Sequence, residues 1–575
     1  MQSQRIRDGS GRRRSAVFRS TLLASAMAAA FAGLSAFAPA AGAVEANAPV
    51  VRIDTGDLQG FRNASGVLEY LNIPYAAPPV GPLRWMPPQA AEHWKGTRDA
   101  TAYGHLCAQT TTLGVFAGPA SIDEDCLVLN VFTTGLHGKR PVFVWIHGGG
   151  NVDGASNDYD GSKLATGGPK GTPTVVVTVN YRLGLLGYLA HPALDSEGHL
   201  SRNYGILDLQ AALRWVQRNI SAFGGDPGTV LLGGQSAGAS DTGANVMSPL
   251  AAGLFNRALF ESSPTSTYPP LSVGKARGQA FADAAGCSGS GKAAADCLRA
   301  LSVQQVLALQ GTANANGPYV TGPMVDGTII PAEPQNLWSS GKFNHMPMMG
   351  GNVRDEANFG IGITEYFSGP PQVPMNADQY VAAITRTYSG NAGPGGTPPP
   401  YPPGTVDAVL AEYPLSNYPS PQTAYNYVST DPGACRALHV EKLWADQVPA
   451  YAYEFDYRQA PYYFPPMPDF TPLAAHTIDI QFLFPLWHGG ILGVAHPLSE
   501  KETALSDELV ARWTLFARDG NPNGGNADAP WPRFTKPFPN MYSENLNSTV
   551  LPAGKFADRH KCDFWNQYLV YLPEK

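Results

Sequence analysis

The stretch that most restricts the fold is Thr229-Val230-Leu231-Leu232-Gly233-Gly234-Gln235-Ser236-Ala237-Gly238. An apolar run ends in two glycines, and a serine follows, fenced by small residues. The pattern G-x-S-x-G is short, and alone it fits an ordinary glycine-rich turn. Here it follows a strand-like run and opens a helix-like one. That context predicts a sharp strand-to-helix turn that exposes Ser236. A serine hydroxyl is a weak nucleophile and needs such exposure beside a base. Gly234 and Gly238 tolerate a strained backbone and permit close packing. The same turn aims the N–H of Ala237 at a developing oxyanion, where a helix N-terminus favours negative charge.

The surrounding pattern agrees. Residues 140–150 (RPVFVWIHGGG) and 173–183 (PTVVVTVNYRL) are strand-like, and residues 207–220 (LDLQAALRWVQRNI) carry apolar positions at helical spacing. With 229–234 as a third short strand, this alternation predicts an α/β fold, a parallel sheet covered by helices. Further along, 318–327 (PYVTGPMVDG) and 345–356 (HMPMMGGNVRDE) follow, the second a short apolar run ending in glycines. Residues 389–405 read as a Pro/Gly loop and 419–427 (PSPQTAYNY) as a turn region. There is no internal repeat.

A second glycine cluster, His147-Gly148-Gly149-Gly150, also ends an apolar run. Three glycines let the backbone approach a substrate carbonyl and offer N–H groups to it. An aimed oxyanion donor is worth about 3–4 kcal/mol of barrier. An ordinary loop is the simpler reading of this cluster alone, but its pairing with the serine turn is much harder to obtain by chance.

The first 43 residues differ from the rest. Arg5, Arg7, Arg12, Arg13, Arg14 and Arg19 precede an Ala-rich apolar run that ends in Ala41-Gly42-Ala43. This layout predicts a signal peptide, 1–43, removed after Ala43, and a secreted or periplasmic product. Removal takes six arginines and one aspartate, leaving the remainder more acidic than the −7 of the whole chain. An acidic chain argues against a nucleic-acid partner. No other run is long and apolar enough to predict a membrane anchor. Six cysteines, Cys107, Cys126, Cys287, Cys297, Cys435 and Cys562, all follow the leader. Behind an export signal they read as disulfides, and none has zinc-ligand spacing.

These residues resemble the type-B carboxylesterase and cholinesterase family of α/β-hydrolases. The resemblance runs through 71–88 (LNIPYAAPPVGPLRWMPP), 124–132 (EDCLVLNVF), 180–189 (NYRLGLLGYL), 203–240 and 512–524 (RWTLFARDGNPNG). It implies one α/β-hydrolase domain over 44–575, with loop and helical insertions around an active-site gorge. The acid of that family is typically a Glu in G-x-N-x-D-E-G. Here 350–360 (GGNVRDEANFG) offers Glu356, with Ala357 where Gly is usual. Its base is a His in a segment that 473–484 (LAAHTIDIQFLF) matches, offering His476 just before an apolar, strand-like run. From the residues alone, Asp355 and Asp479 compete as the acid. The residue before the serine, usually Glu, is Gln235; as a neighbour of the triad it is expected to affect the reaction little.

The resemblance thus implies a Ser236, Glu356, His476 triad, an oxyanion hole from Gly149, Gly150 and Ala237, and no cofactor or metal. It places Ser262 in a supporting role, and His147 is expected to support the oxyanion loop without transferring protons. It also implies the pairings Cys107–Cys126, Cys287–Cys297 and Cys435–Cys562, and salt bridges Arg84–Glu124 and Arg182–Asp208. The implied activity is hydrolysis of a small-molecule carboxylic ester through an acyl-enzyme. The first disulfide loop holds Phe116 and no Trp, which disfavours choline esters. Asn151, where the family has an aromatic, suggests a more polar gorge. Five aromatics in 457–470 (YRQAPYYFPPMPDF) either wall a pocket for an aromatic or bulky ester or pack a Pro-rich loop. Some members of this family are non-catalytic adhesion proteins, but those usually lack the serine. A lipase or an amidase would use the same centre with a different pocket.

Overall fold

Apolar residues at every position of a strand require cover on both faces, and several strands of this chain have that property. The computed structural model describes residues 48–111, 118–200, 202–262, 267–312, 319–389, 401–485, 493–524 and 530–569. These residues fall in one compact unit, Glu45–Lys575. The 1–43 leader, Phe116 and most of the 389–405 loop lie outside the described residues.

Eleven strands form the main sheet among the described residues. They are β1 (Phe61–Arg62), β2 (Leu68–Pro74), β3 (Val128–Thr133), β4 (Arg140–Ile146), β5 (Val175–Val179), β6 (Gly225–Gln235), β7 (Arg257–Glu261), β8 (Met348–Val353), β9 (Ala450–Phe455), β10 (Asn540–Glu544) and β11 (Thr549–Pro552). Their order across the sheet is β11-β10-β9-β8-β7-β6-β4-β5-β3-β2-β1. The run from β10 to β5 is parallel, and antiparallel strands close both edges. Strands β3, β5, β8 and β9 are buried at every position. Alternate side chains point to opposite faces. Val142, Val144 and Ile146 therefore join one core with Trp215 of helix α1 (Tyr204–Asn219) and Ala244 of helix α2 (Ala237–Met247). Phe143 and Trp145 join the other with Trp513 and Phe516 of helix α4 (Glu500–Asp519).

Three local expectations need correction. Strand β6 starts at Gly225, earlier than Thr229, because its pairing with β4 jumps from Arg140–Gly225 to Val142–Val230 and absorbs the turn-forming Asp226-Pro227-Gly228 as a bulge. Residues 419–427 are not a turn region. Ser420 caps helix α3 (Pro421–Ala445), its Oγ accepting from the Thr423 N–H at 3.2 Å, and Pro421 sits in the first turn, where a missing N–H costs nothing. The run after His476 is a short helix, Ile480–Leu483, and not a strand.

Three disulfides join Cys107 to Cys126, Cys287 to Cys297 and Cys435 to Cys562. Arg84 meets Glu124 through two hydrogen bonds, at 2.7 and 2.5 Å. Arg182 donates to both oxygens of the fully buried Asp208 at 2.8 and 2.7 Å, and also to the Met86 carbonyl at 2.8 Å. Removing one partner of such a pair leaves a buried charge unmatched. Arg182→Met is expected to cost about 3–5 kcal/mol, read as a lower urea midpoint. Arg182→Met with Asp208→Leu should recover most of that loss. An unmoved midpoint in the single variant would show that the pair carries no such weight.

Candidate active site

Strand β6 ends at Gln235 and α2 begins at Ala237, so Ser236 alone makes the turn. Its φ of 58° and ψ of −121° lie where side chains are rarely found. Such a residue costs about 1–3 kcal/mol and persists only where its surroundings fix it. The Ser236 N–H donates to the Glu261 carbonyl at 2.9 Å, and the Ser236 carbonyl accepts from the Ser240 N–H at 3.0 Å. A Cβ added at Gly234 or Gly238 would strike the carbonyl of Ile146, so neither site admits a larger residue.

The His147–Gly150 loop lies against this turn. A Cβ at Gly148 would come 3.2 Å from Ser236 Cβ. Gly149 and Gly150 hold φ values of 108° and 62°. Among the described residues, none accepts from the N–H groups of Gly149, Gly150 or Ala237. His147 is buried, stacks on Tyr181 with ring centroids 4.6 Å apart, and donates from Nδ1 to the Gly148 carbonyl at 2.8 Å. Burial pushes its pKa down to about 4, so it is neutral at pH 7. Asn151 follows the same loop. It is buried, its Nδ2 donates to Asp241 at 3.3 Å, and its Oδ1 accepts from Tyr181 at 3.1 Å.

Glu356 follows β8, and His476 lies 120 positions further on. An isolated bridge between Asp355 and Ala475 sets the two segments side by side. His476 Nδ1 donates to Glu356 Oε2 at 2.5 Å, while Glu356 Oε1 accepts from the Val353 N–H at 3.0 Å. Burial pushes the His476 imidazole down, but the charge and hydrogen bond of Glu356, with a smaller contribution from Asp479, raise it above its ordinary value. Neither competing acid bonds the ring. Asp355 faces away, accepting from Arg458 at 2.8 and 2.9 Å, from Asn426 at 2.9 Å and from the Ala474 N–H at 3.1 Å. Asp479 is buried, which pushes its carboxyl up to about 7.

Gln235 lies beside the ring, a proximity that the sequence does not show. Its amide Nε2 stands 3.2 Å from His476 Nε2, and the side chain is fully buried. Ser262 follows β7 with φ 60°, donates its N–H to the Gly351 carbonyl at 2.8 Å, and has no partner for Oγ among the described residues. The aromatics before His476 pack more than they wall. Tyr462, Tyr463 and Phe464 are buried against one another, and the Tyr462 and Tyr463 hydroxyls reach the His476 carbonyl and Thr477 at 3.3 and 2.8 Å.

Comparison with known proteins gives a consistent picture. The model of the carboxylesterase family matches residues 47–565. A medium-chain fatty acyl-CoA hydrolase precursor from Anas platyrhynchos is 34% identical over 549 residues, covering 91% of this chain and 93% of that protein. An acylcarnitine hydrolase from Mus musculus is 32% identical, with 92% of each chain covered. A cocaine esterase from Homo sapiens is also 32% identical, with 90% of each covered.

The geometry carries a pH expectation. A neutral imidazole is the form that takes a proton, so on the reading that His476 is the base its protonation removes activity. Because its pKa is raised, kcat/KM should stay level above that pKa and fall tenfold per pH unit below it, with a midpoint above the ordinary value of about 6.5. A pH–rate profile in constant ionic strength checks this, and a midpoint well below 6 would contradict it.

Proposed function

The chain belongs to the carboxylesterase family and is a carboxylic ester hydrolase, and we propose that Ser236, His476 and Glu356 perform the reaction through an acyl-enzyme. The observation that carries this reading is the 2.5 Å contact between His476 Nδ1 and Glu356, which fixes the tautomer that leaves Nε2 free to accept a proton. Ser236 Oγ attacks the ester carbonyl as His476 Nε2 takes its proton. The oxyanion accepts from the N–H groups of Gly149, Gly150 and Ala237, each worth about 3–4 kcal/mol in the transition state. The alkoxide leaves with the proton from His476. Water, deprotonated by the same nitrogen, then releases the acid and regenerates Ser236. Glu356 holds the ring and stabilises its cationic form.

The relatives named for a fatty acyl-CoA, an acylcarnitine and cocaine support an acyl group carried on a bulky leaving group as the substrate class. Removal of residues 1–43 and export to the periplasm or the medium account for three disulfides, which persist in oxidising compartments. No helix among the described residues is long and apolar enough to cross a membrane.

Two variants test the chemistry with p-nitrophenyl butyrate. Ser236→Ala should lower kcat by about 10⁶, as removal of a nucleophile does in serine hydrolases. Glu356→Gln keeps the shape and should lower kcat by roughly 10³–10⁴ by favouring the wrong imidazole tautomer. Equal turnover in Ser236→Ala and the unmodified protein would overturn the assignment.

A further inference from the structure

The proposed oxyanion hole has two arms on separate elements, and something must fix their distance. Gly149 and Gly150 lie in the loop after β4, and Ala237 opens α2. Asn151 follows Gly150 directly, and Asp241 lies one helical turn beyond Ala237. The two side chains meet: Asn151 Nδ2 donates to Asp241 Oδ1 at 3.3 Å, and both residues are buried. Asn151 is fixed from other sides as well. Its carbonyl accepts from the Gly184 N–H at 2.6 Å, where the short helix Gly184–Tyr188 begins. Its Oδ1 accepts from the Tyr181 hydroxyl at 3.1 Å. A Cβ at Gly322 would come 3.2 Å from its Nδ2, so the chain there closes over the amide. Asn suits position 151 on two counts. It tolerates a φ of 59°, and its short side chain supplies a donor and an acceptor at once.

The Tyr181 hydroxyl also holds the other end of the loop. It stands 3.0 Å from the His147 carbonyl, and its one proton is shared between that oxygen and Asn151 Oδ1. One phenol thus brackets the three glycines at residues 147 and 151. Between these points the loop is tight: the Gly149 carbonyl accepts from the N–H groups of Val152 and Asp153 at 3.0 and 2.9 Å. Asp241 carries the bracket across to α2, where its own carbonyl accepts from Asn245 Nδ2 at 2.9 Å. A carboxyl is costly to bury in a helix that opens Ala237-Gly238-Ala239. The groups that face it are the Asn151 amide and the phenols of Tyr181, Tyr188 and Tyr268. Burial pushes it up to about 8, so at pH 7 it is mainly protonated and sets no full negative charge one turn from Ala237.

We propose that Asp241 is a positioning residue for the oxyanion hole: by holding Asn151 it ties the Gly149–Gly150 arm to the helix that carries Ala237, and so sets the spacing of the three N–H groups. The inference rests on the oxyanion hole as read above. The ester carbonyl gains its negative charge only in the transition state. An arm that drifts by part of an ångström therefore binds the ester nearly as well but stabilises the oxyanion less. Loss of the tie lowers kcat and leaves KM in place.

The test compares the full chain with Asp241→Asn, Asp241→Leu, Tyr181→Phe and Ser236→Ala. It measures kcat and KM for p-nitrophenyl butyrate and the inhibition constant of hexyl trifluoromethyl ketone, with circular dichroism to check folding. The ketone reads the hole directly. Ser236 Oγ bonds its carbonyl carbon, the carbonyl electron pair moves onto oxygen as an oxyanion, and the serine proton passes to His476. Leu branches at Cγ as Asp does but makes no hydrogen bond. Asp241→Leu should lower kcat about 10–100-fold, keep KM within about twofold and weaken the ketone by a factor similar to that in kcat. Asp241→Asn keeps an oxygen that accepts from Asn151 and should stay within about threefold in all three quantities. Tyr181→Phe cuts the bracket without touching α2, and it carries the test, with about a tenfold loss in kcat and the same signature, where Asp241→Leu does not fold. An unchanged kcat in the variant that carries the test, a kcat loss without loss of ketone affinity, or equal losses in Asp241→Asn and Asp241→Leu overturns the role of Asp241 alone. A ketone that inhibits the unmodified protein no better than hexyl methyl ketone overturns the hole, and turnover that survives in Ser236→Ala overturns the nucleophile; this proposal falls with either.

Discussion

The Ser236 end of the sheet depends on how closely the turn after β6 passes the carbonyl of Ile146. Gly234 and Gly238 both lie against that oxygen, and Gly148 lies against the serine from the other side. Any side chain at these points would push β4 and β6 apart at their ends. The two strands are central and parallel, so the sheet cannot yield there without breaking hydrogen bonds on both flanks. That rigidity is what holds Ser236 at φ 58°. The strain is then a property of the sheet, and Ser236 and the His147–Gly150 loop are brought together by the same close approach.

Charge is sorted by burial in the same region. Four carboxyls, Glu356, Asp479, Glu261 and Glu544, converge near the base. Desolvation pushes Asp479 to about 7 and drives Glu261 and Glu544 well above the usual carboxylate range. Burial disfavours the charged form of each of these carboxyls. Glu356 differs in its bonds: it receives the His476 Nδ1–H and the Val353 N–H. Hydrogen bonding thus singles out Glu356 as the partner of the ring.

Much of this was legible because the relevant constraints are local. A glycine that must sit against a carbonyl is conspicuous in the string 228–241, and so are the three glycines after His147. The central strands were legible as apolar runs. What failed lay where tertiary packing overrides local signals. Ser420-Pro421 looks like a turn, yet a serine cap and a proline in the first turn begin the long helix α3. Ile480–Leu483 alternates like a strand but has no sheet edge to join and winds into one helical turn. The partners of Asn151 are not encoded locally either. A left-handed backbone, φ 59°, turns it inward to Tyr181 and Asp241. The facing of Gln235 toward His476 depends on two segments 241 positions apart, which no local pattern encodes.

The placement of Glu356 against His476 depends most on the neighbouring Asp355. Asp355 accepts from Arg458, from Asn426 of α3 and from the Ala474 N–H, and its own N–H donates to the Ala474 carbonyl at 2.9 Å. It therefore joins three otherwise separate parts of the chain: the end of β8, helix α3 and the segment that carries His476. The next residue along, Glu356, has little choice of position, because Ala357 N–H is also tied to Thr430 of α3 at 3.0 Å. Helix α3 is in turn tied to the C-terminal segment by Cys435–Cys562. A fully buried aspartate next to the acid could have competed with it for the imidazole. Saturated by a guanidinium, an amide and a backbone N–H, it instead fixes the geometry in which its neighbour meets the ring. The distinction between two adjacent carboxylates is made by their partners, and those partners come from elements distant in sequence.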